Sequence, residues 1–145
     1  MQLQGARPAL KWAAWALVLN LLWAVAQLPF YAFAPEIGRL AIAWFVTHCT
    51  AGDAAIALGS FGMAALATRD REWSAQRPWL GLAVALGVGV LWTIQSEWQN
   101  VYVRSAWAYS AAMPTIRGVG LLPVLQWVLL PPLVLLAVRR CPCSP

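Results

Sequence analysis

The sequence predicts an all-α membrane protein, a bundle of four transmembrane helices in a single domain of residues 1–145. Hydrophobic residues make up 61% of the chain and charged residues only 10%, whereas soluble domains carry about 25% charged residues. Four apolar blocks approach the length of about 20 residues that a spanning helix needs. Among the charged residues, only Asp53 lies well inside a block. The predicted helices cover residues 12–33, 40–67, 79–97 and 121–138.

The basic residues predict the orientation of the bundle. They form no continuous patch, which argues against nucleic-acid binding, and they lie almost entirely at the ends of the blocks. With a cytoplasmic N-terminus, seven fall on the inner side and three on the outer side. Such an excess of inner positive charge favours an N-in, C-in topology, and the expected location is a bacterial inner membrane. The inner residues are Arg7, Lys11, Arg69, Arg71, Arg77, Arg139 and Arg140, and the outer ones are Arg39, Arg104 and Arg117.

The first predicted helix follows two basic residues, as the apolar part of a secretory signal would. Its apolar run exceeds the roughly 7 to 15 residues of a signal sequence, and Pro35 follows the candidate cleavage site, so we expect a retained helix. Asn20, Gln27 and Tyr31 share one face of this helix. Because amides in a bilayer turn toward neighbouring helices, this face is predicted to contact protein.

Small residues repeat every four positions along the second predicted helix, from Ala43 to Gly59. A second stripe, Gly81, Ala85 and Gly89, follows the third helix at the same spacing. Small residues let two helix backbones approach closely. We therefore expect the stripes to pack against each other, or one of them to serve a homodimer interface. The link at residues 68–78 carries mixed charges and is predicted to be a solvated connector.

The fourth predicted helix contains Pro131 and Pro132, which are expected to bend it. Beyond it, Cys141 and Cys143 form a C-x-C pair. A pair of cysteines supplies only half of a four-ligand zinc site, so no specific role is predicted for it.

Six tryptophans near the block ends are expected at the membrane interfaces, where indole rings are enriched. They are Trp12, Trp15, Trp73, Trp79, Trp98 and Trp107.

Residues 95–120 form the only long segment outside the apolar blocks. Aromatic side chains alternate there with charged and small residues. Long loops without recognised structure are often functional, so we expect an ordered aromatic cap over the outer mouth of the bundle. The candidate ligand-binding residues of this region are Gln95, Glu97, Trp98, Tyr102, Arg104, Trp107 and Tyr109.

The most unusual stretch inside an apolar block runs from Thr47 to Asp53 and includes His48. A carboxylate at membrane depth costs about 2.5 to 3.5 kcal/mol on insertion scales, so Asp53 is expected to have a partner or a function. The predicted neighbour is Glu97, at the outer end of the third helix, with Arg104 or His48 neutralising one of the acids. A shared proton, a metal held by His48, Asp53 and Glu97, and a structural salt bridge all remain open.

Residue counts exclude several intramembrane chemistries. The chain has one histidine, so a monomer cannot supply bis-histidine haem ligation or the histidines of a di-iron site. His48 and Asp53 are about 140° apart around a helix, which disfavours a shared metal ion. The sequence contains no C-x-x-C motif for a thiol oxidoreductase. We therefore predict no cofactor, no metal and no catalytic residue, and we favour binding over enzymatic activity.

The run from Ser96 to Arg104, followed by residues 107–110 and Met113-Pro114, resembles a set of short, uncharacterised bacterial inner-membrane proteins. The short motifs Gly52-Asp53 and Leu125-Gln126-Trp127 also resemble motifs of that set. The resemblance covers most of the chain. It implies the four-helix layout and no activity. Small multidrug transporters and lipoprotein signal peptidases fit poorly, since the former carry an acid in the first helix and the latter use two membrane aspartates.

The expected function is binding or scaffolding. The outer polar cluster and the cap would hold a lipid-like ligand or a partner membrane protein. Asp53, Glu97 and Arg104 would set polarity and orientation, and the aromatic residues would supply apolar contact. The alternative is a small proton-coupled transporter or intramembrane enzyme that acts as a dimer, with Asp53 titrating.

Overall fold

The computed structural model describes residues 6–140, which form an antiparallel bundle of four long helices. Within these residues, four helices are long and apolar enough to cross a membrane, which confirms the predicted helical class. α1 packs against α2 and α5, and α4 packs against the same two helices, so the four close a ring. The helices are α1 (Ala6–Ala26), α2 (Arg39–Thr68), the short α3 (Trp73–Gln76), α4 (Pro78–Trp98) and α5 (Leu121–Arg140).

The end of α1 differs from the prediction, because the helix stops at Ala26 rather than at residue 33. Pro29 lies near the start of a 3-10 helix, Leu28–Phe30, where its missing N–H breaks no helical hydrogen bond. The chain then becomes extended as strand β1, Tyr31–Ala32. Tyr31 is therefore not on the helical face of Asn20 and Gln27, although all three side chains are buried, as the sequence predicts.

Residues 99–120 form an ordered segment at the end of the bundle where α4 stops and α5 starts, and we call this segment the cap. It opens with a π-helical turn, Gln99–Val103, and contains strands β2 (Ala108–Tyr109), β3 (Thr115–Ile116) and β4 (Val119–Gly120). β2 pairs antiparallel with β1, and β3 pairs with β4. The cap is thereby fastened to the end of α1.

Three aromatic side chains, Trp12, Phe61 and Trp73, pack together toward the opposite end of the bundle, with ring centroids 5.2 to 5.7 Å apart. The indole of Trp12 donates to the Ala57 carbonyl at 3.1 Å, and that of Trp73 donates to the Phe61 carbonyl at 3.2 Å. Trp12 is 1% and Trp73 0% exposed. These two indole rings are therefore buried among the helices rather than exposed at the surface of the bundle, and both N–H groups find acceptors inside it. Trp73 belongs to the link of residues 68–78, which was predicted to be solvated, so this link is partly buried.

The two stripes of small residues do not pack against each other, so the first of the two expectations for them is wrong, whereas the homodimer interface stays a prediction. The stripe on α4 is buried, and a Cβ added to Gly81 would overlap the ring of Trp73. A Cβ added to Gly89 would overlap the ring of Trp127 in the same way. The stripe on α2, from Ala43 to Gly59, is exposed on the outside of the bundle. The missing side chains on α4 thus make room for indole rings rather than for another backbone.

α5 continues as one helix through Pro131 and Pro132. Each proline lacks the N–H that would bond to a carbonyl one turn earlier. The cysteine pair for which the sequence predicts no role, Cys141 and Cys143, lies outside residues 6–140.

Candidate functional site

A polar network joins three helices inside the bundle. The Nε2 of Gln126 on α5 donates to Oδ2 of Asp53 on α2 at 2.7 Å and to Oδ1 of Asn20 on α1 at 2.6 Å. Asn20 donates in turn to the carbonyl of Ala16 at 2.8 Å. Asp53 therefore has the partner that its position demands, and this partner is a neutral amide.

Glu97 is buried at the end of α4, beneath the cap, and the cap donates to it. Its Oε2 accepts a hydrogen bond from the hydroxyl of Tyr109 at 2.6 Å and one from the indole of Trp107 at 3.4 Å. The Tyr109 oxygen also accepts the N–H of Gly120 at 3.0 Å. Burial raises the pKa of Tyr109, and the adjacent Glu97 raises it further. The phenol therefore keeps its proton and remains a donor to Glu97.

Arg104 does not contribute to this arrangement. Its side chain is exposed, and within residues 6–140 it forms no ion pair with Glu97. The expected neutralisation of Glu97 by Arg104 is therefore not found. The π-helical turn after α4 ends at Val103, so Arg104 follows the point where the chain leaves the helix.

A cavity of about 130 Å³, which we call the chamber, is lined by both Asp53 and Glu97. α2, α4 and α5 line it together with the segment after α1 and the cap. Among the described residues, two buried lining side chains have a polar atom without a hydrogen-bond partner, namely Oε1 of Gln27 and Oγ1 of Thr93. Gln27 is 8% and Thr93 5% exposed. The chamber is therefore lined by two carboxylic residues and by two further residues that each hold an unpaired oxygen.

Tyr31 forms part of the chamber wall and packs at 5.5 Å from Phe45, 6.4 Å from Trp107 and 6.0 Å from Tyr109, between ring centroids. Burial raises the pKa of Tyr31 most strongly, and the charge of Glu97 and a smaller effect of Asp53 add to the rise. One phenol thus lies within electrostatic reach of both carboxylates.

His48 lies at the edge of the chamber rather than inside it. It lines the chamber together with Gly52, yet both residues are exposed on the outside of α2, so the chamber reaches the surface there. The His48 ring lies 6.4 Å from that of Trp44. In the part of the chain that the structure describes, no group of three or more His, Cys, Asp or Glu side chains is arranged to hold a metal ion. The option of a metal held by His48, Asp53 and Glu97 therefore has no geometric support.

The nine candidate residues from the sequence divide into two groups. Asp53, Glu97, His48 and Trp107 line the chamber, and Tyr109 reaches it through its bond to Glu97. The hydroxyl of Tyr102 instead donates to the carbonyl of Gly118 at 2.6 Å. The side chains that are exposed away from the chamber are Gln95, Trp98 and Arg104.

Sequence reasoning missed Gln27, Thr93 and Gln126 as residues of the site. In the sequence, Gln27 is an amide on the inner face of an apolar helix, which is typical of a packing contact with a neighbouring helix. Gln126 on α5 is likewise an amide within an apolar helix. Nothing in the sequence distinguishes Thr93, because a threonine in an apolar helix commonly bonds to its own backbone.

No protein-family model, curated protein or solved structure matches the chain.

Proposed function

We propose that this protein is a small multi-pass membrane protein that binds a small polar ligand, or the polar head of a lipid-like ligand, in the chamber. The unpaired oxygens of Gln27 and Thr93, beside two carboxylates, are the observation that carries the proposal. More than about 90% of buried polar groups in proteins are hydrogen-bonded. Gln27 and Thr93, which line one cavity, each have a buried oxygen without such a bond. A ligand that supplies hydrogen-bond donors accounts for both oxygens.

The size of the chamber limits the ligand. An apolar cavity of about 150 Å³ holds one benzene molecule. The chamber, at about 130 Å³, therefore suits a group of about six non-hydrogen atoms or fewer, on the same scale. A whole lipid exceeds this volume, whereas a head group that enters beside His48 and Gly52 does not.

The proposed location is a bacterial inner membrane, with both termini on the cytoplasmic side. The excess of basic residues at one end of the bundle supports this orientation. The cap and the chamber then lie in the outer half of the membrane. Trp107 of the cap forms part of the chamber wall and would contact the ligand directly.

Replacing Thr93 with valine tests the proposal, because it removes the unpaired hydroxyl and keeps the shape of the side chain. A buried unpaired polar group costs about 1 to 3 kcal/mol, so Thr93→Val is expected to raise the free energy of unfolding by about 1 kcal/mol. The same variant is expected to lose ligand binding. Tryptophan-fluorescence melting of the purified protein in lipid nanodiscs measures both effects, with a panel of neutral, anionic and cationic solutes of up to six heavy atoms.

Thr50→Val provides a matched control. Thr50 is equally buried, at 5% exposure, and its hydroxyl is also unpaired among the described residues, but it does not line the chamber. We expect it to gain the same stability and to keep the melting shift that a bound solute produces. The proposal is overturned if no solute raises the melting temperature of the wild type, or if Thr93→Val responds to solutes as the wild type does.

A second candidate function is proton-coupled transport, and the two carboxylates that line one surface-connected chamber favour it. The transporter would act as a dimer through the exposed stripe of small residues on α2. Asp53→Asn keeps an oxygen that accepts from Gln126 but removes ionisation. In proteoliposomes loaded with a pH-sensitive dye, this variant is expected to reduce solute-dependent proton flux at least tenfold. Retention of the full flux by Asp53→Asn, with Gly87→Ala on α4 as the stability control, would exclude the candidate.

A further inference from the structure

We infer that the ligand of the chamber is a small primary ammonium group, with Asp53 and Glu97 as its counter-ions and Gln27 and Thr93 as additional acceptors. This inference rests on the proposed function, since it names the chemical class of that ligand.

The charges around the chamber are unbalanced. Asp53 and Glu97 both line it, and no lysine or arginine is among its lining residues. Within residues 6–140, the side chains that donate hydrogen bonds to the two acids are neutral: Gln126 to Asp53, and Tyr109 and Trp107 to Glu97. Buried charges in proteins are paired with an opposite charge or a metal. A cationic ligand supplies that pairing for two carboxylates that have no lysine or arginine beside them among the residues lining the chamber.

A proton on each acid would also remove the charge, but it would leave other groups unexplained. Protonation of Asp53 or Glu97 gives no donor to the unpaired Oε1 of Gln27 or to Oγ1 of Thr93. An ammonium group carries three N–H donors and no acceptor. It therefore balances the charge and provides donors to the amide and hydroxyl oxygens in a single step.

The walls of the chamber distinguish an organic ammonium from a bare metal cation. Ile56, Pro123 and the rings of Tyr31 and Trp107 line the chamber beside the polar atoms. These apolar and aromatic side chains suit the carbon atoms next to an amine. A calcium-sized ion instead prefers six to eight oxygens at about 2.3 to 2.6 Å. A free small amine and the ethanolamine head of a phospholipid share the required chemistry.

The test uses three probes of similar size on the full-length protein in phosphatidylcholine nanodiscs. Ethanolammonium has charge and N–H donors, ethylene glycol has neither charge nor N–H, and tetramethylammonium has charge without N–H. We expect calorimetry to show that ethanolammonium binds at least tenfold more tightly than the other two. Glu97→Gln, which keeps an acceptor for Tyr109, and Thr93→Val are each expected to weaken this binding at least tenfold, whereas Thr50→Val leaves it unchanged.

The outcomes separate this inference from the proposed function. If ethylene glycol binds as tightly as ethanolammonium and Thr93→Val abolishes both, the ammonium class is wrong while the binding function stands. If none of the solutes binds, both are overturned. Nanodiscs with phosphatidylethanolamine then distinguish the source of the amine. They weaken ethanolammonium binding at least tenfold if the lipid head is the ligand and leave it unchanged if a free amine is.

Discussion

Alanine in place of Gly81 is expected to lower the free energy of unfolding by about 3 kcal/mol, at the upper end of the range for overpacked cores. A Cβ at this position would overlap the six-membered ring of Trp73. That ring cannot retreat, because Trp73 is fully buried, packs on Trp12 and Phe61, and donates to the Phe61 carbonyl. Urea titration of the protein in detergent micelles, followed by tryptophan fluorescence, measures the loss.

Gly87→Ala is the matched control on the same helix. A Cβ at Gly87 meets no atom within 4 Å, so the substitution is expected to stabilise the helix by about 0.5 to 1 kcal/mol through reduced backbone freedom. Equal stability of the Gly81→Ala and Gly87→Ala variants would show that Trp73 does not pack on α4.

The second large effect is expected for Gln126→Leu, which should destabilise the bundle by about 3 kcal/mol. The substitution removes the donor to both Asp53 and Asn20. An unsatisfied buried group costs about 1 to 3 kcal/mol, and more when it is charged. The same urea titration reports this loss, and Gln95→Leu, at an exposed position of α4, is expected to change stability by less than about 0.5 kcal/mol.

A double variant tests whether the loss comes from the network itself. Removing both partners of a buried hydrogen bond is nearly neutral, so Asp53→Leu combined with Gln126→Leu is expected to be more stable than the sum of the two single effects predicts. Strict additivity of the two substitutions would contradict a direct contact between these side chains.

The fold class is predictable from the sequence because a bilayer leaves a chain few options. Each spanning segment must satisfy its own backbone hydrogen bonds, so apolar blocks of this length become helices. The predicted ranges 40–67 and 79–97 lie within one residue of α2 and α4. The end of α1 was predicted too late, at residue 33. The helix stops at Ala26, shortly before Pro29, and the chain then pairs Tyr31 with Tyr109, a contact between residues far apart in the chain.

The site was predictable only in part. An antiparallel bundle brings the first half of α2 beside the second half of α4, and the structure has Asp53 and Glu97 lining one chamber. The residues that bond to these two acids are determined by the rotation of the helices and by the strand register of the cap. No local pattern in the sequence indicates either of them. Gln126 and Tyr109 therefore occupy the positions at which sequence reasoning placed Arg104 or His48. The buried positions of Trp12 and Trp73 likewise depend on carbonyl groups that only the packed bundle presents.

The hydroxyl of Tyr109 has a consequence for the rate at which a ligand exchanges. It joins the end of α4 to the last strand before α5, by donating to Glu97 and accepting from Gly120. Lifting the cap at this point breaks both bonds in one event, whereas the edge of the chamber at α2 is formed by a glycine and an exposed imidazole ring. Ligands are therefore expected to arrive and leave sideways, within the plane of the membrane, and their residence time should depend on the surrounding lipid more than on motion of the cap.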